Sequence, residues 1–516
     1  MAFYIAAIIA SVLAMTQVKT NYDLVDYLPD DVSSTVGLNL MDEEFDSKPA
    51  NLRIMLPDVT VAEALEAKKK LASIKGVKDV TWLDDTVDVV QPLEMIDEDI
   101  INSCYKDGNA LITAYVSPEA SNSVVSEIRA LLGDDAAIAG DQAQAEESRR
   151  RTSTDIAKML VIAVPIIFVI LFLTTTSIIE PVLFLASIGV AILLGKGTDL
   201  IFGEISFVTS SCSAILQLAT SMDYAIFLIE SFESYREKGL AVEDAMVEAM
   251  NQAFSSIFSS SLTTVFGFLA LTMMRFGIGY DLGLVLAKSI VMSLFAIMTL
   301  LPVLTIMANG VMERTRHKKW VSSFNGFGRL NARICIPVSL VIGTVVVMPS
   351  ILAYMNNDYI YGTTQMIVDP SIRVVQDQNA IDELYEKSNQ MVLMVPYGQP
   401  AREQALIDEL DDMDDITSIT AYATMADTTI PVDFVGRENL KQLIGENYSR
   451  IIISADMELE SEKAFKFVED IRTVAEKYYP NDAYLTGGTS NIYDMRDVVI
   501  QDDVIVNQLS MAAIGI

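Results

Sequence analysis

Histidine is nearly absent from this sequence: His317 is the only one in 516 residues. A Ser-His-Asp triad in the apolar part of the chain and a His-rich metal site are thereby excluded. Cysteine is scarce as well. Of Cys104, Cys212 and Cys335, the last two fall in apolar runs, so no intramolecular disulfide is expected. Basic charge is short, with 36 Lys and Arg against 69 Asp and Glu and a net charge of −33. Such acidity argues against a nucleic-acid surface, which needs positive potential. No Walker pattern occurs; the stretch GKGTDL at 195–200 has a Gly-x-Gly but not the spacing of a phosphate loop. Nucleotide hydrolysis is therefore excluded as this chain's own energy source. A chain this poor in ligands is not expected to be an enzyme or to hold a cofactor or a metal.

What the sequence has is apolar length. Hydrophobic residues make up 51% of it and the mean hydropathy is +0.35. The charge sits in two blocks, 20–155 with a balance of −16 and 356–503 with −18, and the remainder is close to neutral. A membrane span needs about 20 apolar residues, and seven runs qualify: 1–18, 156–178, 181–202, 206–230, 254–275, 281–308 and 334–355. The first lacks the basic start and small-residue cleavage site of a signal peptide and reads as a helix. The third is interrupted near its end by Lys196 and Asp199. Arg314, Arg316, Lys318, Lys319, Arg329 and Arg333 mark 311–333 as cytosolic. Counting spans from there places both acidic blocks outside the cytosol and 231–253 inside. Arg149, Arg150 and Arg151 oppose this orientation but end a long exported block, where the rule is weak.

The chain repeats itself. LRIMLPDVTVAEALEAKKKLASIKGVKDVTWLDD (52–85) runs parallel to MVLMVPYGQPAREQALIDELDDMDDITSITAYAT (391–424), each reading strand, helix, strand. The later segments 110–141 and 450–488 are likewise similar. Each acidic block is thus two βαβ units, the pattern of a ferredoxin-like α+β sandwich. The apolar run 334–355 precedes the second block as 1–18 precedes the first, and the closing IVNQLSMAAIGI matches the start of the second span. The expected organisation is transmembrane helix 1 at 1–19, an exported ferredoxin-like domain at 20–155 and helices 2–6 at 156–310. A basic cytosolic linker at 311–333, helix 7 at 334–355, a second exported domain at 356–503 and the start of helix 8 at 504–516 complete it. On this repeat the chain is expected to be truncated, with about 150 residues to follow in two parallel halves.

One carboxylate stands out. In ISFVTSSCSAILQLATSMDYAIFLIE, Asp223 lies well inside a span with Tyr224 beside it. An intramembrane charge costs several kcal/mol and is a functional-site hypothesis by default. A carboxylate in low dielectric can load and release a proton; the bland reading is a structural carboxylate bonded to neighbouring hydroxyls. Ser255, Ser256, Ser259, Ser260, Ser261, Thr263 and Thr264 crowd the fifth span. Close helix packing is their preferred reading, with a water chain to Asp223 as the other. Lys288 lies some seven residues into the sixth span, too far from Asp223 for a salt bridge, and snorkelling is the simpler account. Residues 234–253 place Leu240, Ala241, Met246, Val247 and Met250 near one face, as in an amphipathic surface helix.

The stretches SMDYAIFLIESFESYREKG (221–239), SSSLTTVFGFLAL (259–271) and LGLVLAKSIVMSLFAIMTLLPVL (282–304), with the duplicated layout, resemble the RND superfamily and most closely its MMPL-type branch of hydrophobe exporters. Ser221 and Met222 stand where that branch has Gly-Thr, and Glu230 stands near a position that is basic in many members. The resemblance implies an α-helical membrane bundle, with a sterol-sensing-like five-helix unit at 156–308, plus two exported ferredoxin-like domains. It implies a proton-motive-force-driven exporter of lipid or other hydrophobic or amphiphilic substrates across the cytoplasmic membrane. Asp223 and Tyr224 would be its proton relay, facing a matching pair near position 573 by the repeat offset. Ser259, Ser260, Thr263 and Lys288 are candidates to support the relay. Asp223 is expected on an open, polar side of the bundle without a basic partner. Protons, lipid substrate and membrane lipids are the implied partners, and self-association is left open. The rival readings are a lipid sensor or scaffold that does not transport, and an accessory motor for protein translocation.

Overall fold

The computed structural model describes residues 2–515 apart from 46–49, 86, 88–95, 97, 118–119, 121–122, 318–324, 356–360, 362–368, 386–388 and 426–441. The chain begins with α1 (Ala2–Met15), the short strand β1 (Lys19–Asn21) and α2 (Ser33–Glu44). A first sheet unit follows: β2 (Leu52–Leu56), α3 (Val61–Ala72), β3 (Val77–Thr81), α4 (Glu98–Cys104), β4 (Tyr105–Lys106), β5 (Asn109–Val116), α5 (Val124–Leu132) and β6 (Ala137–Ala139). Five long helices come next, α6 (Asp141–Thr174), α7 (Ile179–Thr198), α8 (Phe207–Glu237), α9 (Val242–Ala270) and α10 (Gly277–Arg314), with β7 (Glu204–Ser206) between α7 and α8. Then α11 (Asn325–Ile342) continues through a π-turn into α12 (Met348–Met355). The second sheet unit is α13 (Arg373–Tyr385), β8 (Asn389–Pro396), α14 (Pro400–Asp411), β9 (Ile416–Thr420), α15 (Tyr422–Met425), β10 (Tyr448–Ala455), α16 (Glu462–Tyr478) and β11 (Tyr484–Thr486), and α17 (Gly488–Gly515) leaves it.

Among the described residues six helices are long and apolar enough to cross a membrane: Asp141–Thr174, Ile179–Phe202, Phe207–Glu237, Val242–Met273, Gly277–Arg314 and Ile334–Ala353. The apolar α1 is shorter. The expected amphipathic helix at 234–253 is not found. α8 runs to Glu237, Gly239 turns the chain at φ +89°, and α9 starts at Val242 and continues into the bundle. The five apolar residues do not share a face, since Met246 is buried and Val247 is exposed. A positive φ is cheap only for glycine, so the Lys-Gly step outweighs the amphipathic periodicity here. Part of the basic linker, Lys318 and Lys319 included, lies outside the described residues.

Each sheet unit turns alternate strand residues to opposite faces, and its central strands are largely buried on both. In the first sheet the order is β3-β5-β2-β6, with β4 against β5, and every neighbouring pair is antiparallel. Ile54, Ile112 and Ile138 lie opposite one another and pack with Leu71, Ile128 and Trp82. In the second sheet the order is β9-β10-β8-β11, again antiparallel throughout. The two orders correspond strand for strand.

The other face of each sheet is covered by a helix from elsewhere in the chain. Met55, Leu111 and Ala137 of the first sheet pack on Ile381 of α13, and Val392 and Met394 of the second pack on Met41 of α2 and on Phe45 just beyond its end. The helix that precedes each sheet in sequence thus covers the other sheet. Full burial of one such side chain contributes roughly 1.5–3 kcal/mol. Polar contacts fix the exchange. Asp377 accepts the Ile138 N–H (3.1 Å) and pairs with Arg129, and Arg53 meets Asp382 at 3.1 Å. On the other side Asp494 accepts the Ser34 N–H (2.9 Å) and holds Arg472 through both carboxylate oxygens at 2.7 and 2.9 Å.

In the second sheet unit Glu403 is 2% exposed and accepts only the Ser449 hydroxyl (2.8 Å), while its other oxygen and the buried Tyr479 hydroxyl have no partner among the described residues. Burial pushes the Glu403 carboxyl above its ordinary value, and the Ser449 hydrogen bond offsets only part of that. A carboxyl raised in the fold is protonated there at pH values where the unfolded chain has ionised. Its contribution is therefore complete below the unfolded value, about 4.3, and is lost as pH rises through the folded one. Glu403→Gln should accordingly leave hydrogen exchange in β8 and β10 unchanged at acid pH. It should slow that exchange relative to wild type as pH rises. Equal pH dependence in both proteins would contradict this account.

The two ends of the bundle differ. At the sheet-bearing end β1 pairs with β7, and Asp502 of α17 accepts the N–H groups of Arg275 and Phe276 at 2.9 and 2.8 Å. At the opposite end Arg236 meets Glu313 (2.8 Å), Arg316 meets Glu237 (3.3 Å), and the His317 N–H donates to the Thr176 carbonyl (2.7 Å). α1 lies so close to α7 that a Cβ on Gly197 would fall 2.4 Å from the Ser11 Cβ and 2.5 Å from its Cα. Small residues permit this approach in membrane helices. Gly197→Ala should push α1 away at a cost of about 1–3 kcal/mol, the usual range for overpacking. An unchanged apparent Tm would show that α1 has room to move.

Candidate functional site

Ser206 starts α8: its hydroxyl accepts the Val208 N–H (3.2 Å), and its own N–H donates to Asp281 Oδ2 (2.7 Å). From there α8 presents different faces to its surroundings. Tyr224, Ala225, Leu228, Ile229 and Phe232 enter the core between α7, α9 and α10. Asp223 lies on the exposed side with Phe227 and Glu230. Among the described residues the Asp223 carboxylate has no ion-pair or hydrogen-bond partner. Tyr224 is buried, with its hydroxyl 3.4 Å from Thr264 Oγ1 on α9.

The fifth-span hydroxyls divide accordingly. Ser255, Ser256, Ser259, Ser260 and Thr263 are exposed, and Ser261 is buried. Thr263 and Thr264 donate back to the carbonyls of Ser259 and Ser260, each at 3.0 Å. Thr264 is the fifth-span hydroxyl that comes within hydrogen-bond distance of Tyr224.

Lys288 does not snorkel. Its ammonium pairs with Asp199, donates to the Gly195 carbonyl (2.8 Å) and leaves the side chain 14% exposed. Asp199 is 2% exposed. An ammonium that meets a buried carboxylate and a helix-end carbonyl gains more than it would by stretching towards water. The structure does not bring Lys288 to Asp223. Lys196, one turn before Asp199, donates to the Ser210 carbonyl at 2.5 Å.

Two further polar groups were not singled out in the sequence. Gln217 is 2% exposed and donates to the Ser289 carbonyl (3.0 Å) and to Ser293 Oγ (2.9 Å) on α10. Near the opposite end, Glu180 is 1% exposed, and the Thr176 hydroxyl lies 3.3 Å from its Oε1 while also contacting Glu233. A small cavity beside it is lined by Thr174, Thr175, Glu180, Phe184, Glu230 and Glu233, among others. A glutamine inside one apolar run and a glutamate at the edge of another were the available signals. Among the described residues no group of three or more His, Cys, Asp or Glu is arranged to hold a metal ion.

A bundle of long apolar helices with ionisable groups at several depths is that of a multi-pass membrane protein. The sequence model of the MMPL family matches residues 26–337, and the chain belongs to that family, a branch of RND-type transporters. A membrane protein of Methanocaldococcus jannaschii is 28% identical over 146 residues, 28% of this chain and 37% of the relative. Membrane protein YdfJ of Bacillus subtilis is 26% identical over 202 residues, 37% of this chain and 28% of its own length. The sulfolipid-1 exporter MmpL8 of Mycobacterium tuberculosis is 27% identical over 146 residues, 28% of this chain and 13% of the exporter. This chain therefore matches well under half the length of each of these relatives.

Proposed function

We propose that this chain works in a proton-motive-force-driven exporter of lipid or other hydrophobic or amphiphilic molecules, and not as an enzyme. It would sit in the cytoplasmic membrane with both sheet units outside the cytosol as ferredoxin-like domains along the substrate path. The observation that carries the reading is Asp223. It is a carboxylate far inside an apolar helix, on an open face, with no compensating charge among the described residues. Such a group is costly when ionised in lipid and far less so when protonated, so proton loading changes how this face packs. Tyr224, anchored towards Thr264, would set the geometry of transfer. Lys288 is committed to Asp199 and would hold α10 to α7. The name of the sulfolipid-1 exporter among the relatives supports a lipid-like cargo.

The test uses the complete protein in liposomes with an imposed pH gradient and a fluorescent lipid as cargo. Lipid transfer should fall to background when a protonophore collapses the gradient, while lipid binding persists. Transfer indifferent to the gradient would overturn proton coupling. Binding without transfer under any gradient would favour the sensor or scaffold.

A further inference from the structure

Only Gly140 separates β6 from α6, so one helix of 34 residues joins the first sheet to the bundle without a break. Its hold on the other helices is slight. Leu171 and Ile167 pack into the core near its far end, and Arg149 lies over the Tyr22 ring at 5.4 Å near the sheet. Between these points one side of the helix is open. Arg150, Thr154, Lys158, Val161, Ile162 and Val169 fall within about one third of its circumference at 3.6 residues per turn, and all six are exposed.

That face is divided by depth. Lys158 stands two residues inside the apolar run that begins at Ile156. Val169 lies about 16 Å further along the axis by helix rise, close to half of a hydrocarbon core about 30 Å thick. The polar part is therefore at the level of lipid headgroups and the apolar part spans one leaflet. A lysine in this position leans towards the helix N-terminus, as helical side chains do, and so towards Thr154.

The charge of the face runs against that of the molecule, which carries −33 overall. Arg314 and Arg316 lie at the opposite end of the bundle, so Arg149, Arg150, Arg151 and Lys158 form a second basic group at the sheet-bearing end. The positive-inside rule accounts for one side of a membrane and leaves the other unexplained. The described carboxylates beside this group are engaged elsewhere or turned inward. Glu146 accepts the Val125 and Ser126 N–H groups at the start of α5 (2.8 and 3.2 Å). Glu147 is 12% exposed and meets Arg150 and Arg151 at 2.8 and 2.7 Å, whereas the Arg150 side chain stays 72% exposed. Cations at a membrane surface attract anionic headgroups.

We propose that this face of α6 seats a resident anionic phospholipid. Its phosphate lies at the level of Thr154, with the Lys158 ammonium beside it and Arg150 one turn above, and its acyl chains run along Val161, Ile162 and Val169. The lipid takes the place of a neighbouring helix on a weakly packed span. It thereby holds α6, and the first sheet that α6 carries, at a fixed height in the membrane. The acidic sheet units repel anionic lipid in general, so a preference at this face has to come from its own cations. The inference stands whether or not Asp223 carries protons.

The test reads which lipid touches this face. In the complete protein with Trp320→Phe, a reporter is placed by Ile162→Trp or, on another apolar surface, by Val291→Trp. Val291 is 49% exposed on α10. Trp82, in the core of the first sheet, remains as a constant background. Each protein is reconstituted in phosphatidylcholine liposomes that contain dibrominated phosphatidylglycerol or dibrominated phosphatidylcholine at one mole fraction. Fluorescence quenching then gives the relative affinity for the two lipids. Ile162→Trp should favour phosphatidylglycerol about fivefold or more, and Val291→Trp should show no preference. Adding Arg150→Gln and Lys158→Gln should bring the Ile162→Trp ratio to about one, while adding Lys158→Arg alone should keep the preference. Equal quenching by both lipids at Ile162→Trp would overturn the site. A preference that survives loss of both cations, or that Val291→Trp shares, would also reject it. Quenching by neither lipid would show that another helix covers this face, and the lipid would again be ruled out.

Discussion

Asp223→Asn is expected to bring lipid export by the complete protein to background, a loss of about a hundredfold or more, while expression and folding persist. The substitution keeps the shape of the side chain and removes its titrating proton. Because Asp223 lies on an exposed face and has no ion-pair partner among the described residues, asparagine strands no buried cation. A structural carboxylate inside the bundle would behave differently, since its loss would destabilise the helices before it altered transport. Tyr224→Phe should be milder, with export reduced a few-fold, because it removes one hydroxyl held 3.4 Å from Thr264 and leaves the ring packed. The measurements are lipid transfer under a pH gradient and thermal stability of the same preparations. Wild-type transfer by Asp223→Asn rules out the relay. Lost transfer together with a large fall in stability would return Asp223 to a structural role.

The second large effect is expected outside the bundle. Asp377→Ala should release α13 from the first sheet, because one carboxylate serves the Ile138 N–H, Arg129 and Arg373 (2.6 Å to its Nε) while itself only 3% exposed. The loss strands the buried Ile138 N–H, at a cost of about 1–3 kcal/mol, while Arg129 and Arg373 keep partial access to water. Hydrogen exchange should rise in α13 and β6 and much less in β8 and β10. The reciprocal variant Asp494→Ala should loosen α2 and β11 instead, through Ser34 and Arg472. If neither variant alters exchange locally, the exchanged helices are held by their apolar faces alone.

The spans were legible because hydropathy is a local property. Twenty apolar residues in a row select a helix whatever surrounds them, and an aspartate among them is visible at once. The sheet patterns were legible for a similar reason, since alternate strand residues share a face, Ile54, Ile112 and Ile138 on one side and their neighbours Met55, Leu111 and Ala137 on the other. The break at Gly239 was harder to see. Its signal is a single residue, and amphipathic periodicity on either side pointed to a separate helix.

What the sequence by itself determined is thus the set of apolar helices, the two repeated strand-helix patterns, the MMPL-type motifs and the presence of Asp223, all written within short windows of chain. Only the tertiary structure decided which charge meets which. It gave Lys288 to Asp199, 89 residues away, set Tyr224 beside Thr264 and exchanged α2 and α13 between the sheets. These choices depend on helix depth, rotation and close approach at Gly195 and Gly197. No local pattern records them, because a buried polar group takes whichever partner the packing brings within hydrogen-bond reach.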